Sequence, residues 1–213
     1  MTSQSSISTH LPLQLSTANL TTLREYLLDL FCHVAYQEGD FLLSSGHRSP
    51  YYINGKQVTL HPQGGLAIGR MVLSLLPDNA VAVAGLTLGA DPMVTATSVV
   101  AAYEGRSLTP LIIRKEPKGH GTQAYIEGTP LPSGSLVVVL EDVVTTGQSA
   151  LKAVERLRQA GYTVNQIIAL VDRDQGGAEL YQREGLEFQA VFSIAELQRR
   201  SAELKSSVQP MGE

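Results

Sequence analysis

Four short, predominantly apolar runs, at residues 80–86, 108–113, 136–140 and 167–171, alternate along the chain with segments of helical spacing. Runs of this length with apolar residues at successive positions, rather than at every second position, fit strands buried on both faces. Helices between such strands are the signature of an α/β fold, with a mostly parallel central sheet and helices on both faces. The expected helices lie at 65–76, from Asp91-Pro92 onward, and at 148–160 before Gly161. Asp91 is read as the N-cap and Pro92 as the first helical residue. Residues 188–194 read as a short edge strand and 195–204 as a last helix.

The N-terminal part reads differently. Leu23, Leu27, Leu30, Phe31 and Val34 recur at helical spacing within 21–38, with Gly39 as the expected C-cap. Residues 41–54 read as a hairpin around a Gly-containing turn. Residues 1–18 are rich in Ser, Thr and Gln and contain no Lys or Arg, so they read as a disordered tail and not as a targeting signal.

Composition narrows the function. A chain of 213 residues that is 43% hydrophobic can bury a sizeable core, and its longest apolar run is too short to span a bilayer. This leads to the expectation of a soluble, cytoplasmic protein with no membrane partner. A net charge of −4 argues against nucleic acid as a partner, so any anionic ligand must meet a local cluster of cations. The single cysteine, Cys32, excludes an intrachain disulfide and reads as a buried thiol.

In a parallel sheet, ligands bind beyond the carboxyl ends of the strands, so the segments after the four runs are the candidates for chemistry. After the third run come Glu141, Asp142, Val143, Val144, Thr145, Thr146, Gly147, Gln148 and Ser149. Two carboxylates can accept hydrogen bonds from vicinal hydroxyls. A Gly-containing, hydroxyl-rich turn entering a helix suits a phosphate monoester. Together they fit a ribose 5-phosphate. Spacing alone leaves a second reading equally open: an acidic strand end followed by an ordinary Thr N-cap.

After the second run, Arg114, Lys115, Lys118 and His120 fall within seven residues, beside Gly119 and Gly121. Such a cluster in an acidic protein suits a concentrated anion such as pyrophosphate; a solvated charged loop is the alternative. After the fourth run, Asp172-Arg173-Asp174 offers a guanidinium for a planar carboxylate, or a surface ion pair.

The segment from the apolar run through Glu141 and Asp142 to Thr146-Gly147 resembles the PRPP-binding signature of the type I phosphoribosyltransferases (PRPP is 5-phosphoribosyl 1-diphosphate). Arg114-Lys115-x-x-Lys118-x-His120-Gly121 resembles the flexible loop of the orotate phosphoribosyltransferases within that group. Leu170-Val171-Asp172-Arg173 resembles their base-binding strand end, and 41–54 their N-terminal hood. The resemblance runs from about Thr21 to Leu197.

It implies a type I phosphoribosyltransferase fold in a single domain at 19–213, with a small hood mainly from 19–60 and 188–213. It implies transfer of the 5-phosphoribosyl group of PRPP to orotate in a homodimer, with the basic loop shared between subunits. On that resemblance, PRPP meets Arg114, Lys115, Lys118, His120 and the segment 141–149. Orotate meets Thr145, Arg173, Tyr52 and Ile53. Glu141, Asp142 and Lys118 are the catalytic candidates. Mg2+ is the expected cofactor, held mainly by PRPP and water with no direct protein ligands. The chain departs from some relatives at Ser44 and Gly89, where those carry Lys.

Overall fold

The computed structural model describes residues 15–42, 48–117 and 125–208. The expected parallel sheet is present. It has six strands in the order β5-β4-β3-β6-β7-β8: β3 Ala82–Leu86, β4 Thr109–Ile113, β5 Ile126–Glu127, β6 Val137–Val144, β7 Gln166–Asp172 and β8 Glu187–Ser193. All neighbours run parallel except β5, which is antiparallel to β4. The two-residue β5 had no signal in the sequence, because so short a strand carries no periodicity.

The sheet sorts its side chains by the two-residue alternation of a strand. Val83, Val138, Leu140, Ile168 and Leu170 point into one core cluster. Ala82, Ala84, Val137, Val139, Ile167 and Ala169 point into the other. The first face is covered by α1 Leu20–Leu30, α3 Pro62–Leu75, α4 Asp91–Tyr103 and α7 Ile194–Val208, the short α2 Lys56–Thr59 lying just before α3. The second is covered by α5 Gln148–Gln159 and α6 Gly177–Arg183. Helix α5 buries Ala150, Ala153, Val154 and Leu157, an apolar stripe at helical spacing. Gly161, at φ +90°, follows its end.

The N-terminal helix is shorter than its apolar spacing suggests. It ends at Leu30, passes through a π-helical turn Phe31–Ala35, and strand β1 Tyr36–Leu42 begins there. The competing force is the antiparallel ladder with β2 Arg48–Ile53, which pairs Tyr36 with Ile53 and Glu38 with Tyr51. Gly39 therefore lies inside a strand and does not cap a helix. Tyr36, Tyr51 and Ile53 join the same core as α1 and α7, so the hairpin packs where the two ends of the chain meet. Ion pairs reinforce that junction, Arg200 with Asp29 and Lys205 with Glu38, each at 2.6 Å. The polar stretch read as a tail is packed at its end. Leu15 is buried, and Arg70 Nη1 donates to the carbonyls of Leu15 and Ala18, both at 2.7 Å.

One cap is displaced. Ala90 is the N-cap of α4 and Asp91 its first residue, because the Asp91 carboxylate instead accepts from the Thr87 hydroxyl at 2.7 Å.

Candidate active site

Strand β6 carries the acidic pair inside its own length, continuing four residues past the apolar run to Val144. Its last residue pairs with Asp172 of β7, and the Arg173 N–H donates to the Val144 carbonyl at 3.0 Å. The acids, the turn and Arg173 thus stand together at one end of the sheet.

Both carboxyls are buried at 8% exposure. Glycines wall Asp142 on two sides. A Cβ on Gly55 would lie 2.8 Å from its Oδ2, and one on Gly89 2.7 Å from its Oδ1. These glycines admit the carboxylate where any side chain would crowd it. The Val143 N–H donates to Asp142 Oδ1 at 3.0 Å. Burial nonetheless raises the pKa of Asp142, an effect that the Lys56 charge opposes. Glu141 is pushed up to about 8, first by burial and then by Asp142, with Lys115 pulling it back. Its Oε2 is buried with no hydrogen-bond partner among the described residues. At neutral pH and without ligand, Glu141 holds a proton beside the Asp142 carboxyl.

The turn after β6 closes around a cavity of about 70 Å3 lined by Glu141, Val143 to Ala150, and Tyr181. Gly147 is left-handed, at φ +82°, and no side chain caps the first N–H groups of α5. A Cβ there would also meet the Tyr181 ring at 2.9 Å. Open N–H donors, the helix dipole and the Thr145, Thr146 and Ser149 hydroxyls are chemically suited to an anion. The Tyr181 hydroxyl closes its floor, fully buried and with no partner among the described residues.

Arg173 is turned toward the hairpin and is 9% exposed. Its Nε donates to the Tyr51 hydroxyl at 3.3 Å, its Nη2 to Ser49 Oγ at 3.4 Å, and its guanidinium lies 4.8 Å from the Tyr51 ring centre. Tyr52 points to the opposite face of β2 and packs on Phe41, with ring centres 5.7 Å apart. Ile53 is buried in the core beneath. Ser49, Tyr51 and Ile53 share a face and Tyr52 does not. A pair of adjacent residues cannot flank one planar ligand from a single strand face, and that alternation was available in the sequence. Ser49, Tyr51, Lys56, Gly55 and Tyr181 are the site neighbours that the sequence reading did not single out.

The basic segment is described in part. Arg114 Nη1 pairs with Glu127 at 3.0 Å, and the Lys115 charge reaches Glu141. Lys118 and His120 lie outside the described residues, as does Ser44.

Comparison with known proteins assigns this arrangement. Residues 54–195 match the family model described as "Phosphoribosyl transferase domain". Orotate phosphoribosyltransferase of Nostoc sp. (strain PCC 7120) is 70% identical over 189 residues, covering 89% of this chain and 92% of that protein. The chain belongs to the orotate phosphoribosyltransferase family. The Synechocystis sp. (strain PCC 6803) orotate phosphoribosyltransferase is 63% identical over 87% of this chain and 93% of its own. Among solved structures, orotate phosphoribosyltransferase of Mycobacterium tuberculosis in complex with Fe(III) dicitrate superimposes with a TM-score of 0.74 at 38% identity, covering 82% of this chain and 98% of that one. The same protein in complex with PRPP gives a TM-score of 0.70 at 35% identity, covering 83% and 99%. The matched span of this family member contains the acidic pair, the turn, Arg173 and the described part of the basic segment.

Proposed function

We infer that the chain transfers the 5-phosphoribosyl group of PRPP to orotate, giving orotidine 5′-monophosphate and pyrophosphate, a step of UMP biosynthesis. The observation that carries this reading is the buried Arg173 guanidinium, held against Ser49 and Tyr51 next to an acidic pair and an anion-binding turn. A guanidinium matches the orotate carboxylate in planar, bidentate fashion.

The turn from Thr145 to Ser149 seats the 5-phosphate, with Val143, Val144, Gly147 and Gln148 supplying backbone. Asp142 accepts hydrogen bonds from the ribose hydroxyls, and Glu141 joins it once ligand displaces its proton. Their negative charge favours the positive charge that develops on the sugar as the C1′–O bond to diphosphate breaks and the C1′–N1 bond to orotate forms. Arg114, Lys115, Lys118 and His120 receive the diphosphate, and Lys118 stabilises it on departure. Thr145 and Arg173 orient the base. The geometry favours Tyr51 over Tyr52 as the aromatic neighbour of orotate, with Ile53 beneath it.

Mg2+ suits this site, because two closely apposed carboxyls, one with an unpartnered oxygen, favour a hard cation carried in by PRPP. When bound beside Glu141 and Asp142, it would neutralise diphosphate charge. Among the described residues, no group of three His, Cys, Asp or Glu side chains could hold a metal by itself.

A homodimer with a shared basic loop completes the reading. Leu60, Leu88, Val99 and Tyr103 are large apolar side chains left exposed, and Leu60 and Val99 line a groove of about 590 Å3 between α3 and α4. An exposed apolar groove of this kind marks an interface, and a second copy of the chain is the proposed occupant. Among the described residues, no helix is long and apolar enough to cross a membrane; the cytoplasm is the proposed location.

The test is incubation with orotate, PRPP and Mg2+, following loss of orotate absorbance, with uracil, adenine and hypoxanthine as competitors. Asp142→Asn is expected to cut turnover with the fold intact. Preference for another base, or near-normal turnover of that variant, overturns the reading.

A further inference from the structure

Helix α5 carries the anion-binding turn at its start and, eight residues after Gln148, the buried Arg156 in its last turn. At 1.5 Å per residue the two lie about 12 Å apart along one rigid rod. Arg156 is only 9% exposed. It donates from Nη1 to the Arg114 carbonyl and from Nη2 to the Lys115 carbonyl, the latter at 2.9 Å. It also lies over the Tyr125 ring, 3.9 Å from its centre. Arg114 and Tyr125 are themselves joined, the Arg114 N–H donating to the Tyr125 carbonyl at 2.8 Å. A single side chain therefore grips the strand that delivers the two basic residues and the strand that returns from them.

Burying a guanidinium is costly unless its donors are satisfied. Here the satisfied partners are two carbonyls and a ring, none of them a carboxylate. An apolar residue could fill the space at lower desolvation cost but could hold neither carbonyl. What Arg156 supplies is orientation. It fixes the backbone from which Arg114 and Lys115 project, and the Lys115 charge already acts on Glu141.

We propose that Arg156 is a positioning residue for the diphosphate half of the substrate, tying the backbone of Arg114 and Lys115 to the helix whose other end seats the 5-phosphate. The spacing between the two anionic ends of PRPP is then set by one helix. Arg156 touches no substrate and acts through Arg114 and Lys115.

Steady-state kinetics in both directions test this. Arg156→Met is expected to raise KM for PRPP in the forward reaction, and for pyrophosphate in the reverse, by about tenfold, while KM for orotate and orotidine 5′-monophosphate stays within about twofold. Parallel movement of all four constants, or movement of none, overturns the proposal. Tyr125 gives an independent arm that leaves Arg156 in place. Tyr125→Leu removes the ring face and should show the same split, whereas Tyr125→Phe keeps the face and should match the wild type. Equal effects of Leu and Phe at position 125 contradict the proposal, and this arm decides should Arg156→Met fail to fold. The inference rests on the reading of the site as an orotate phosphoribosyltransferase. A wild-type chain that forms no orotidine 5′-monophosphate sinks that reading, whereas an active wild type with no split in the variants sinks only the role of Arg156.

Discussion

Arg173 and Tyr51 meet twice: the guanidinium stacks 4.8 Å from the ring centre, and its Nε donates to the phenol oxygen at 3.3 Å. The contact joins the end of β7 to the hairpin across 122 residues of chain. It fixes the plane in which the guanidinium can meet a carboxylate. Arg173→Lys keeps the charge but loses the fork and the stack. It is expected to raise KM for orotate at least about tenfold, a loss on the order of 1.4 kcal/mol, with KM for PRPP little changed. Tyr51→Phe should give a smaller shift of the same kind, and Tyr52→Phe none. Steady-state assays with each substrate varied in turn check the ordering.

Asp142 has room only because positions 55 and 89 lack side chains. A Cβ at either would come within 2.8 Å of a carboxylate oxygen. Gly89→Ala is therefore expected to displace Asp142 and lower kcat/KM by about tenfold or more, with the thermal midpoint held within a few degrees by an otherwise unchanged core. Turnover and thermal unfolding measured on the same preparation give the answer.

The proton on Glu141 makes stability depend on pH. Its pKa is raised from the ordinary carboxyl value of 4.5 to about 8. Between these values the unfolded chain has lost the proton and the folded one keeps it, so the native state binds more protons. Stability of the ligand-free protein must then fall as pH rises through that window, by up to about 1.4 kcal/mol per pH unit from this group. Below the window both states are protonated, and above it both are ionised. Asp142, also raised by burial, adds in the same direction. Glu141→Gln should flatten the slope, which denaturant unfolding across pH 5 to 8 would show. An unchanged slope means that the carboxyl is ionised in the fold.

Val99 is 63% exposed on the outer face of α4, beside Leu60 at 69% and near Tyr103 at 93%. If that surface meets a second copy, Val99→Glu buries a charge against apolar side chains and should shift the dimer toward monomer. Sedimentation velocity reads the outcome, and a dimer of undiminished affinity would place the interface elsewhere.

The sequence by itself determined the sheet and its chemistry. Strands with apolar residues at successive positions have to be covered on both faces, so 80–86, 108–113, 136–140 and 167–171 could be placed without coordinates. Parallel strands gather their carboxyl ends on one rim, which brings Glu141, Asp142, the turn to Ser149 and Arg173 together. These signals are local, written in residues adjacent along the chain.

What only the tertiary structure decided are relations between distant residues. The helix of 21–38 gave way to a strand at Tyr36 because pairing with β2 outweighed local periodicity. Tyr51, and not its neighbour Tyr52, meets Arg173 because strand register fixes which face looks inward. The glycine walls of Asp142, the Tyr181 floor and the grip of Arg156 on Arg114 and Lys115 each join elements that only packing brings into contact. A side chain's partners across the fold are set by how layers stack, and no pattern of neighbours along the chain encodes that distance.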